Sequence, residues 1–260
     1  MSNYDYLYVT LVSFLIKFLL LPSYHSTDFE VHRNWLAIAH SLPIDKWYQE
    51  ERYSIWTLDY PPFFAYFEYL LSHLAYLIDP NMLILENVDY KSTATIYFQR
   101  SSVIVSDLLI CFATFKYLKA SYQSSDNIRL IVTYCFIIFN AGLILVDNIH
   151  FQYNGYLLGI LVMCLYFAAI DQHIYLAATF SFLVLSKHLF LPLAFPMAIY
   201  LLRRYCFPQK PIKSSFSYLF TGIYRLSFLV FIALSFIGIA FAPFVIHVIF
   251  VSFCTYFIND

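Results

Sequence analysis

The stretch STDFEVHRNWLAIAHSLPIDKWYQEERYSIWTLDYP, residues 26–61, is the longest polar interruption in a chain otherwise made of apolar and aromatic runs. Its first apolar residues recur with helical spacing, which predicts a helix with one apolar face. The residues on that face are Val31, Trp35, Ile38 and Leu42. Thr27 and Glu30 fit a capping box, which places Asp28 in the first turn, where the helix dipole favours a negative charge. Asp28 is therefore the candidate catalytic base.

The composition is that of a polytopic membrane protein. Of the 260 residues, 61% are hydrophobic and 12% are charged, and the mean hydropathy is +0.68. Soluble domains carry roughly 25% charged residues, so a soluble globular fold is excluded. The net charge of −1 says little about partners, but ten of the sixteen acidic residues fall between residues 28 and 89. Such an acidic loop is typical of the non-cytoplasmic side.

Seven apolar runs are long enough, or nearly long enough, to cross a membrane, and they predict an all-α fold. They are residues 6–22, 101–118, 128–146, 155–170, 174–190, 191–203 and 225–245. The first is predicted to be a retained anchor, because it lacks a basic leader and a cleavage site. The fifth and sixth are short enough to form a hairpin. Residues 62–79 also follow helical spacing, but Glu68 and His73 interrupt the apolar surface, which favours a helix lying in the membrane interface.

The basic residues set the predicted orientation, because short loops rich in lysine and arginine are typical of the cytoplasmic side. One such loop is marked by Lys116, Lys119 and Arg129, and another by Arg203, Arg204, Lys210, Lys213 and Arg225. With a cytoplasmic N-terminus, the first of these loops is cytoplasmic only if residues 62–79 do not cross. We therefore predict one long outer loop at 23–99 that holds two interfacial helices, and a second outer loop at 147–154.

Three further groups of polar residues stand at predicted membrane boundaries. Asp59 and Tyr60 precede a proline pair, where Asp59 either orients a substrate or caps a turn. The segment DNIHFQYNG at 147–155 concentrates side chains that need hydrogen-bond partners, which are a phosphate or a sugar in one interpretation and solvent in the other. Lys187 and His188 lie between the two short spans. A lysine there either meets an anion such as a lipid phosphate or reaches the headgroups by snorkelling.

Several of these residues also have purely structural interpretations. First-turn acids are common, so Asp28 can serve only to stabilise its helix, and the capping box alone accounts for Glu30. Arg100 and Asp107, near the outer end of one span, are predicted to form a structural pair. The five cysteines are odd in number and lie in or beside apolar spans, so we interpret them as packing thiols.

No nucleotide-binding, zinc-protease, CxxC or GxSxG motif occurs in the sequence. The segment 147–154 offers carboxylate and amide oxygens to a divalent ion, but a single carboxylate is a poor ligand set for Mg²⁺. We therefore predict no metal and no cofactor.

Four motifs agree in order and spacing with a known family: TDFEVHRNWL at 27–36, SLPIDKWY at 41–48, WTLDYPPFFAYFEY at 56–69 and LILVDNIHFQYNG at 143–155. From about residue 5 to residue 243 the chain resembles the endoplasmic-reticulum glucosyltransferases that use dolichyl phosphate glucose to extend the lipid-linked oligosaccharide. The sequence FFAYFE after the proline pair is most similar to the enzyme that adds the second glucose.

The resemblance implies a GT-C-type polytopic membrane fold with about seven transmembrane helices and a long first luminal loop containing two interfacial helices. It places the protein in the endoplasmic reticulum membrane, with the active site in the lumen. It also implies a conserved module at residues 1–245. The tail at 246–260 resembles none of the family pattern and stands where a second membrane half is expected, so the chain is expected to be truncated.

The resemblance also implies roles for individual residues. Asp28 falls on the family's proposed catalytic base, which would deprotonate the 3-hydroxyl of the oligosaccharide's terminal glucose in an inverting α-1,3 transfer. By motif, Asp59, His150, Gln152, Asn154 and Lys187 fall on family positions. With their neighbours, the predicted substrate-binding residues are Glu30, Arg33, Asp59, Tyr60, Asp147, His150, Gln152, Asn154, Lys187 and His188. The expected partners are dolichyl phosphate glucose, the dolichyl-pyrophosphate-linked oligosaccharide and membrane lipid, and no nucleic acid.

Three alternatives stay open. The chain can be the first-glucose transferase of the same family, an inactive truncated isoform, or a non-catalytic polytopic protein such as a transporter. A transporter would carry its acids within crossing helices near the midplane of the membrane. The clustering of acids between residues 28 and 89 argues against that alternative.

Overall fold

The computed structural model describes residues 3–122, 127–208 and 215–258, and every regular element within these ranges is helical. The α-helices are α1 Asn3–Leu19, α2 Asp28–Ser41, α3 Pro62–Ile78, α4 Thr93–Ser106, α5 Leu108–Ser121, α6 Asn127–Ile138, α7 Ala141–Leu143, α8 Asn154–Ala169, α9 His173–Val184, α10 Ala194–Leu201 and α11 Ser215–Ile258. Short 3₁₀ helices lie at Ile44–Lys46, Pro80–Leu83 and His188–Leu193, and π-helical turns at Ile144–Phe151 and Leu202–Cys206. The predicted all-α class is confirmed for these ranges.

Four helical stretches among the described residues are long and apolar enough to cross a membrane. They are Thr93–Ser121, Asn127–Phe151, His188–Cys206 and Phe216–His247. Two shorter apolar helices, α8 and α9, lie between the second and the third of them. The described parts of the chain are thus all-helical, and their long apolar helices are those of a polytopic membrane protein.

The observed helix ends differ from the predicted spans at several places. The helix expected to begin at residue 101 begins at Thr93, inside the predicted outer loop 23–99, because Ser92 accepts a hydrogen bond from the backbone N–H of Thr95 and caps it. Most of the predicted loop 147–154 is helical, since the π-helical turn runs to Phe151. The last predicted span, 225–245, is the middle of α11, which contains Pro243 and continues to Ile258. Lys210 and Lys213 of the second basic loop lie outside the described residues.

Helix α2 is buried within the protein along most of its length. Ten of its fourteen residues are buried, and Trp35 and Ile38 of the predicted apolar face belong to the main hydrophobic cluster. Asn34 and Trp35 donate hydrogen bonds to the carbonyls of Trp56 and Thr57, which fixes the chain that leads to the proline pair. The helix is therefore a rigid base for its first residue, Asp28.

The N-terminus of α2 is capped differently from the prediction. The capping box is wrong, because Thr27 makes no side-chain cap bond and Glu30 binds Arg33 instead. Ser26 takes over, and its Oγ accepts a hydrogen bond of 3.1 Å from the backbone N–H of Asp28. The guanidinium of Arg33 instead donates two buried hydrogen bonds to the Glu30 carboxylate. Hydrogen bonds between charged groups are stronger than one from a neutral backbone N–H.

Helix α3 packs against α2 and begins at the proline pair, since Pro62 occupies its first turn. Its C-terminus is tied to the start of α4 through Asp79. The Asp79 carboxylate accepts hydrogen bonds from the hydroxyls of Ser92, Thr95 and Tyr90. Burial opposes ionisation of this carboxyl, but these hydrogen bonds outweigh it and hold the pKa of Asp79 below its ordinary value.

Helices α1 and α8 pack against α4, and α8 also packs against α5. Lys17 of α1 makes a buried ion pair of 2.6 Å with Asp107, at the junction of α4 and α5. The predicted pair between Arg100 and Asp107 is wrong, since the closer Lys17 occupies the carboxylate and backbone carbonyls occupy the guanidinium. Helix α8 approaches this junction closely at Gly155, where a Cβ atom would lie 1.9 Å from Oδ1 of Asp107.

The π-helical turn ends at a strained residue. Phe151 has a φ of +90°, a backbone conformation that residues other than glycine rarely adopt. Its ring is buried against Phe29, His32 and Tyr153, with ring centroids 5.3 to 5.7 Å apart. This packing holds the backbone in its turn, so that Gln152 follows in an extended conformation.

Candidate active site

Asp28 lines a cavity of about 290 Å³ at the N-terminal end of α2. The walls come from α2, from residues 55–57 and 59–60 of the loop before α3, and from Gln152. The Asp28 side chain is 27% exposed, so one part of the carboxylate is held by the protein while the other is open to a ligand. A carboxylate in such a position can accept a proton from a bound hydroxyl.

Two side chains from the second polar segment hold the Asp28 carboxylate. Gln152 donates a hydrogen bond of 2.7 Å from Nε2 to Oδ2 of Asp28, and Nε2 of His150 lies 3.2 Å from the same oxygen. Residues 28 and 152 are 124 positions apart in sequence. The fold thus brings the two polar segments into direct contact at the candidate base.

Asn154 connects this pair to the lysine before the 3₁₀ turn. Its Nδ2 donates hydrogen bonds of 2.8 Å to Oε1 of Gln152 and 2.9 Å to Oδ1 of Asp147. Its Oδ1 accepts a hydrogen bond of 3.2 Å from Nζ of Lys187. A continuous set of hydrogen bonds therefore runs from Asp28 through Gln152 and Asn154 to Lys187.

Lys187 brings a positive charge to the same end of the molecule. Its Nζ lies 4.8 Å from the centre of the Tyr60 ring, a distance at which a cation interacts with the aromatic face. Tyr60 also lines the cavity with Asp59. Burial, together with the negative charges of Asp59, Asp28 and Asp147, raises the pKa of Tyr60, so its hydroxyl stays neutral and can donate a hydrogen bond.

Arg100 of α4 joins the backbones that carry the two polar segments. Its guanidinium donates hydrogen bonds to the carbonyls of Leu20, Ser23 and Tyr24 on one side and of Asn148 and Ile149 on the other. Ser26 adds a second connection, because its Oγ donates a hydrogen bond of 2.5 Å to the carbonyl of His150. The first chain leads into Asp28 and the second into Gln152, so Arg100 fixes their relative position.

The described residues contain no group of three His, Cys, Asp and Glu side chains that could hold a metal ion. Both carboxylate oxygens of Asp147 accept hydrogen bonds from N–H donors, one from Asn154 and one from Gly155. The absence of a metal and of a cofactor stays a prediction. Cys111, Cys135, Cys164 and Cys206 are free thiols, as predicted, and the side chain of Cys254 lies outside the described part of the chain.

Residues 13–254 match a family profile described as the "ALG6, ALG8 glycosyltransferase family". That match covers most of the chain. The chain belongs to this glycosyltransferase family.

Individual relatives give a finer comparison. The chain is 48% identical over 200 residues to the probable dolichyl pyrophosphate Glc1Man9GlcNAc2 alpha-1,3-glucosyltransferase of Drosophila melanogaster, covering 77% of this chain and 39% of the relative. It is 47% identical over 214 residues to the enzyme named dolichyl pyrophosphate Glc1Man9GlcNAc2 alpha-1,3-glucosyltransferase in Mus musculus, covering 78% and 40%. A protein of the same name in Arabidopsis thaliana is 43% identical over 237 residues, covering 91% and 44%. The chain thus spans about two fifths of the length of these relatives.

Three of the predicted substrate-binding residues neither line the cavity nor join the hydrogen-bonded set beside it. Glu30 and Arg33 form a buried bidentate ion pair, and Arg33 also donates a hydrogen bond to the carbonyl of Met82. His188 is exposed at the first position of its 3₁₀ helix. Substrate binding by these three residues stays a prediction.

One residue of the cavity wall, His32, and its buried partner Glu68 were not singled out from the sequence as site residues. His32, one turn after Asp28, lines the cavity, and its Nδ1 lies 2.6 Å from Oε1 of Glu68 in α3. The sequence offered one signal for each. His32 follows Asp28 by four positions, which places both on one helix face, and Glu68 interrupts the apolar surface of α3.

Proposed function

We propose that this chain carries the catalytic portion of an enzyme that transfers glucose from dolichyl phosphate glucose to the monoglucosylated lipid-linked oligosaccharide, forming an α-1,3 bond. The family match and the names of the relatives support this reaction class and this acceptor. Since the relatives are more than twice as long as the matched region, the remaining contacts to the two lipid-linked substrates are assigned to other parts of such a protein.

The observation that carries the proposal is the convergence of Asp28, Gln152, Asn154 and Lys187 in one hydrogen-bonded set beside the cavity. It combines the two groups that the reaction needs. One is a carboxylate to accept the proton of the attacking hydroxyl, and the other is a cation to bind the phosphate of the donor.

In the proposed reaction, the 3-hydroxyl oxygen of the acceptor glucose attacks the anomeric carbon of the donor. Its proton passes to Asp28, and the bond between the anomeric carbon and the phosphate oxygen breaks, leaving its electron pair on the phosphate. Gln152 holds Oδ2 of Asp28, so that the carboxylate keeps its orientation during the transfer. Lys187, held by Asn154, stabilises the charge on the departing dolichyl phosphate. Attack on the face opposite the phosphate inverts the β-linked donor to an α-linked product.

We also assign the chain the membrane arrangement of a GT-C-type enzyme with seven crossings. In this arrangement α1, α8 and α9 cross in addition to the four long spans, whereas α2 and α3 stay in the lumen of the endoplasmic reticulum with the cavity. An Asn-X-Thr glycosylation acceptor inserted between residues 84 and 91 tests it. Modification of that acceptor is expected, and its absence in an otherwise glycosylated reporter would contradict the luminal assignment.

The reaction itself is tested in microsomes from cells that express the protein and lack the endogenous activity. Wild-type protein is expected to convert monoglucosylated to diglucosylated lipid-linked oligosaccharide, measured by chromatography of the released glycans. Asp28→Asn should lower the rate by about 10²- to 10⁴-fold, because it removes the general base. Asp45→Asn is the matched control, since Asp45 lies in the same loop and outside the cavity walls.

Three results would contradict the assignment. Wild-type turnover by Asp28→Asn would remove Asp28 from the mechanism. Glucosylation of the unglucosylated oligosaccharide in preference to the monoglucosylated one would favour the first-glucose reaction. No turnover of either acceptor would favour the inactive or non-catalytic alternatives.

A further inference from the structure

His32 and Glu68 form a buried pair that the reaction described above does not use. The His32 side chain is 5% exposed and the Glu68 side chain is fully buried. Their contact between Nδ1 and Oε1, at 2.6 Å, is the length of a charge-assisted hydrogen bond. Burial raises the pKa of the Glu68 carboxyl, while the hydrogen bond and charge of His32 oppose that rise. A hydrogen bond between these two atoms needs a proton on one of them, and the side-chain burial places it where solvent scarcely reaches.

The ring of His32 is held in place on all sides except the cavity. Five aromatic rings surround it, with centroids 4.8 to 6.5 Å from its own, and they belong to Trp35, Tyr60, Phe64, Phe151 and Tyr153. Nδ1 is occupied by Glu68. The hydrogen bond found for His32 among the described residues is made by Nδ1, and none is found for Nε2. His32 is thus a fixed ring with one free nitrogen at a cavity wall.

His32 stands next to Asp28 on the helix. Side chains four residues apart on a helix have Cβ atoms about 6 Å apart and lie on the same face. Both side chains line the same cavity. A sugar ring that presents one hydroxyl to Asp28 therefore presents the neighbouring hydroxyl toward His32.

We propose that Nε2 of His32 hydrogen-bonds the hydroxyl next to the one that Asp28 deprotonates on the acceptor sugar, and that Glu68 is a positioning residue for His32. This role rests on the transfer reaction proposed above. A hydroxyl can both donate and accept, so it matches Nε2 whether the shared proton lies on Nδ1 or on Glu68. The aromatic side chain of Tyr60, which is only partly buried, offers the sugar ring an apolar surface at the cavity wall.

The test pairs a change in the protein with a change in the sugar. Monoglucosylated acceptors whose terminal glucose lacks either the 2-hydroxyl or the 4-hydroxyl are compared with the natural acceptor, in wild type and in His32→Gln. In wild type, removal of the hydroxyl that His32 binds is expected to lower kcat/KM by about 3- to 10-fold, the worth of one hydrogen bond. His32→Gln should lower kcat/KM by a similar factor for the natural acceptor and leave it unchanged for that deoxy acceptor.

His40→Gln is the matched control, because His40 lies on α2, is stacked on Tyr76 and is absent from the cavity wall. It should leave the response to all three acceptors as in wild type.

Glu68→Gln keeps His32 in place but removes the carboxylate, and it should weaken the coupling between His32 and the hydroxyl. This variant gives the second measurement if His32→Gln does not fold. Equal effects of His32→Gln, or of Glu68→Gln, on all three acceptors would overturn the proposal, since a purely structural pair predicts that result.

A binding measurement separates this inference from the transfer reaction. Trp35 and Trp56 line the cavity, so their fluorescence reports occupancy by a soluble oligosaccharide that ends in glucose. If removing the hydroxyl weakens binding in wild type but not in His32→Gln, and wild type shows no turnover, the hydrogen bond from His32 is supported and the transfer reaction is overturned. Turnover without coupling would overturn the role of His32 alone. Neither binding nor turnover would overturn both.

Discussion

The amide of Gln152 donates a hydrogen bond of 2.7 Å to Oδ2 of Asp28. The bond connects the first residue of α2 to the extended residue that follows the π-helical turn. It occupies Oδ2, and no hydrogen bond to Oδ1 is found among the described residues. The orientation of the candidate base is therefore set by a residue 124 positions later in the sequence, after two candidate membrane spans.

Replacing Gln152 should impair turnover with little loss of stability. Gln152→Leu removes the donor to Asp28 and the acceptor for Asn154, so the base loses its fixed orientation. We expect kcat to fall by about 10- to 100-fold, as for other residues that orient a reactive group. Gln49→Leu is the control, because Gln49 is exposed and its side chain accepts a hydrogen bond only from Lys46 among the described residues. A wild-type kcat for Gln152→Leu would contradict the role of this bond.

Lys187 should determine affinity for the phosphate-bearing donor. Lys187→Gln removes the charge while keeping a donor for Asn154, and we expect the KM for dolichyl phosphate glucose to rise by about 10- to 100-fold. Lys187→Arg keeps the charge and should recover part of the affinity. Lys46→Gln, an exposed lysine in the same loop as Asp45, serves as control. An unchanged donor KM in Lys187→Gln would show that this lysine only reaches toward the lipid headgroups.

Two glycines with opposite surroundings give a paired test of helix packing. In Gly155→Ala the new methyl group would collide with Asp107 at 1.9 Å, which must move and weaken its ion pair with Lys17. We expect a loss of about 1–3 kcal/mol in the free energy of unfolding. Gly238→Ala places its methyl group where no atom lies within 4 Å, and it should raise stability by about 0.5–1 kcal/mol. Equal thermal midpoints for the two purified variants would contradict the close approach at Gly155.

Asp79 should make stability depend on pH in the acidic range. Because its pKa is lower in the folded protein than the ordinary value of 3.8, it stabilises the fold above that pH. The contribution is lost as the pH falls from about 3.8 toward the folded pKa. Asp79→Asn should therefore be destabilised most at neutral pH, and the difference from wild type should shrink in acid. Thermal unfolding at pH 7, 4 and 3 measures this, and a difference that does not change with pH would contradict it.

The sequence was sufficient to predict elements whose cause is local. Helical spacing predicted α2, and the proline pair predicted where α3 begins. Helix ends were less predictable, since α4, capped by Ser92, begins at Thr93, eight residues before the apolar run at residue 101. The predicted partner of Glu30 was also wrong. Thr27 and Arg33 both lie within one turn of Glu30, and only the packing of the folded chain selects Arg33.

Contacts between distant segments were beyond a reading of one sequence. The pairing of Arg100 with five backbone carbonyls depends on loops that approach it in space, and carbonyls leave no mark in the amino-acid pattern. Lys17 and Asp107 are 90 residues apart, and His32 and Glu68 are 36 apart. A charged residue in an apolar span or helix is costly to bury alone, so the sequence indicates that each of these charges has a partner. Only the fold identifies which residue that partner is.

The guanidinium of Arg100 has a consequence for biosynthesis. Some of the carbonyls that it binds belong to residues 20–24, which are translated before Arg100. The others belong to residues 148 and 149, which are translated much later, near the end of the second candidate span. A nascent chain that has not yet reached Gln152 therefore holds Asp28 without the amide that orients it. We therefore expect the hydrogen-bonded set from Asp28 to Lys187 to form only after residue 187 has been translated.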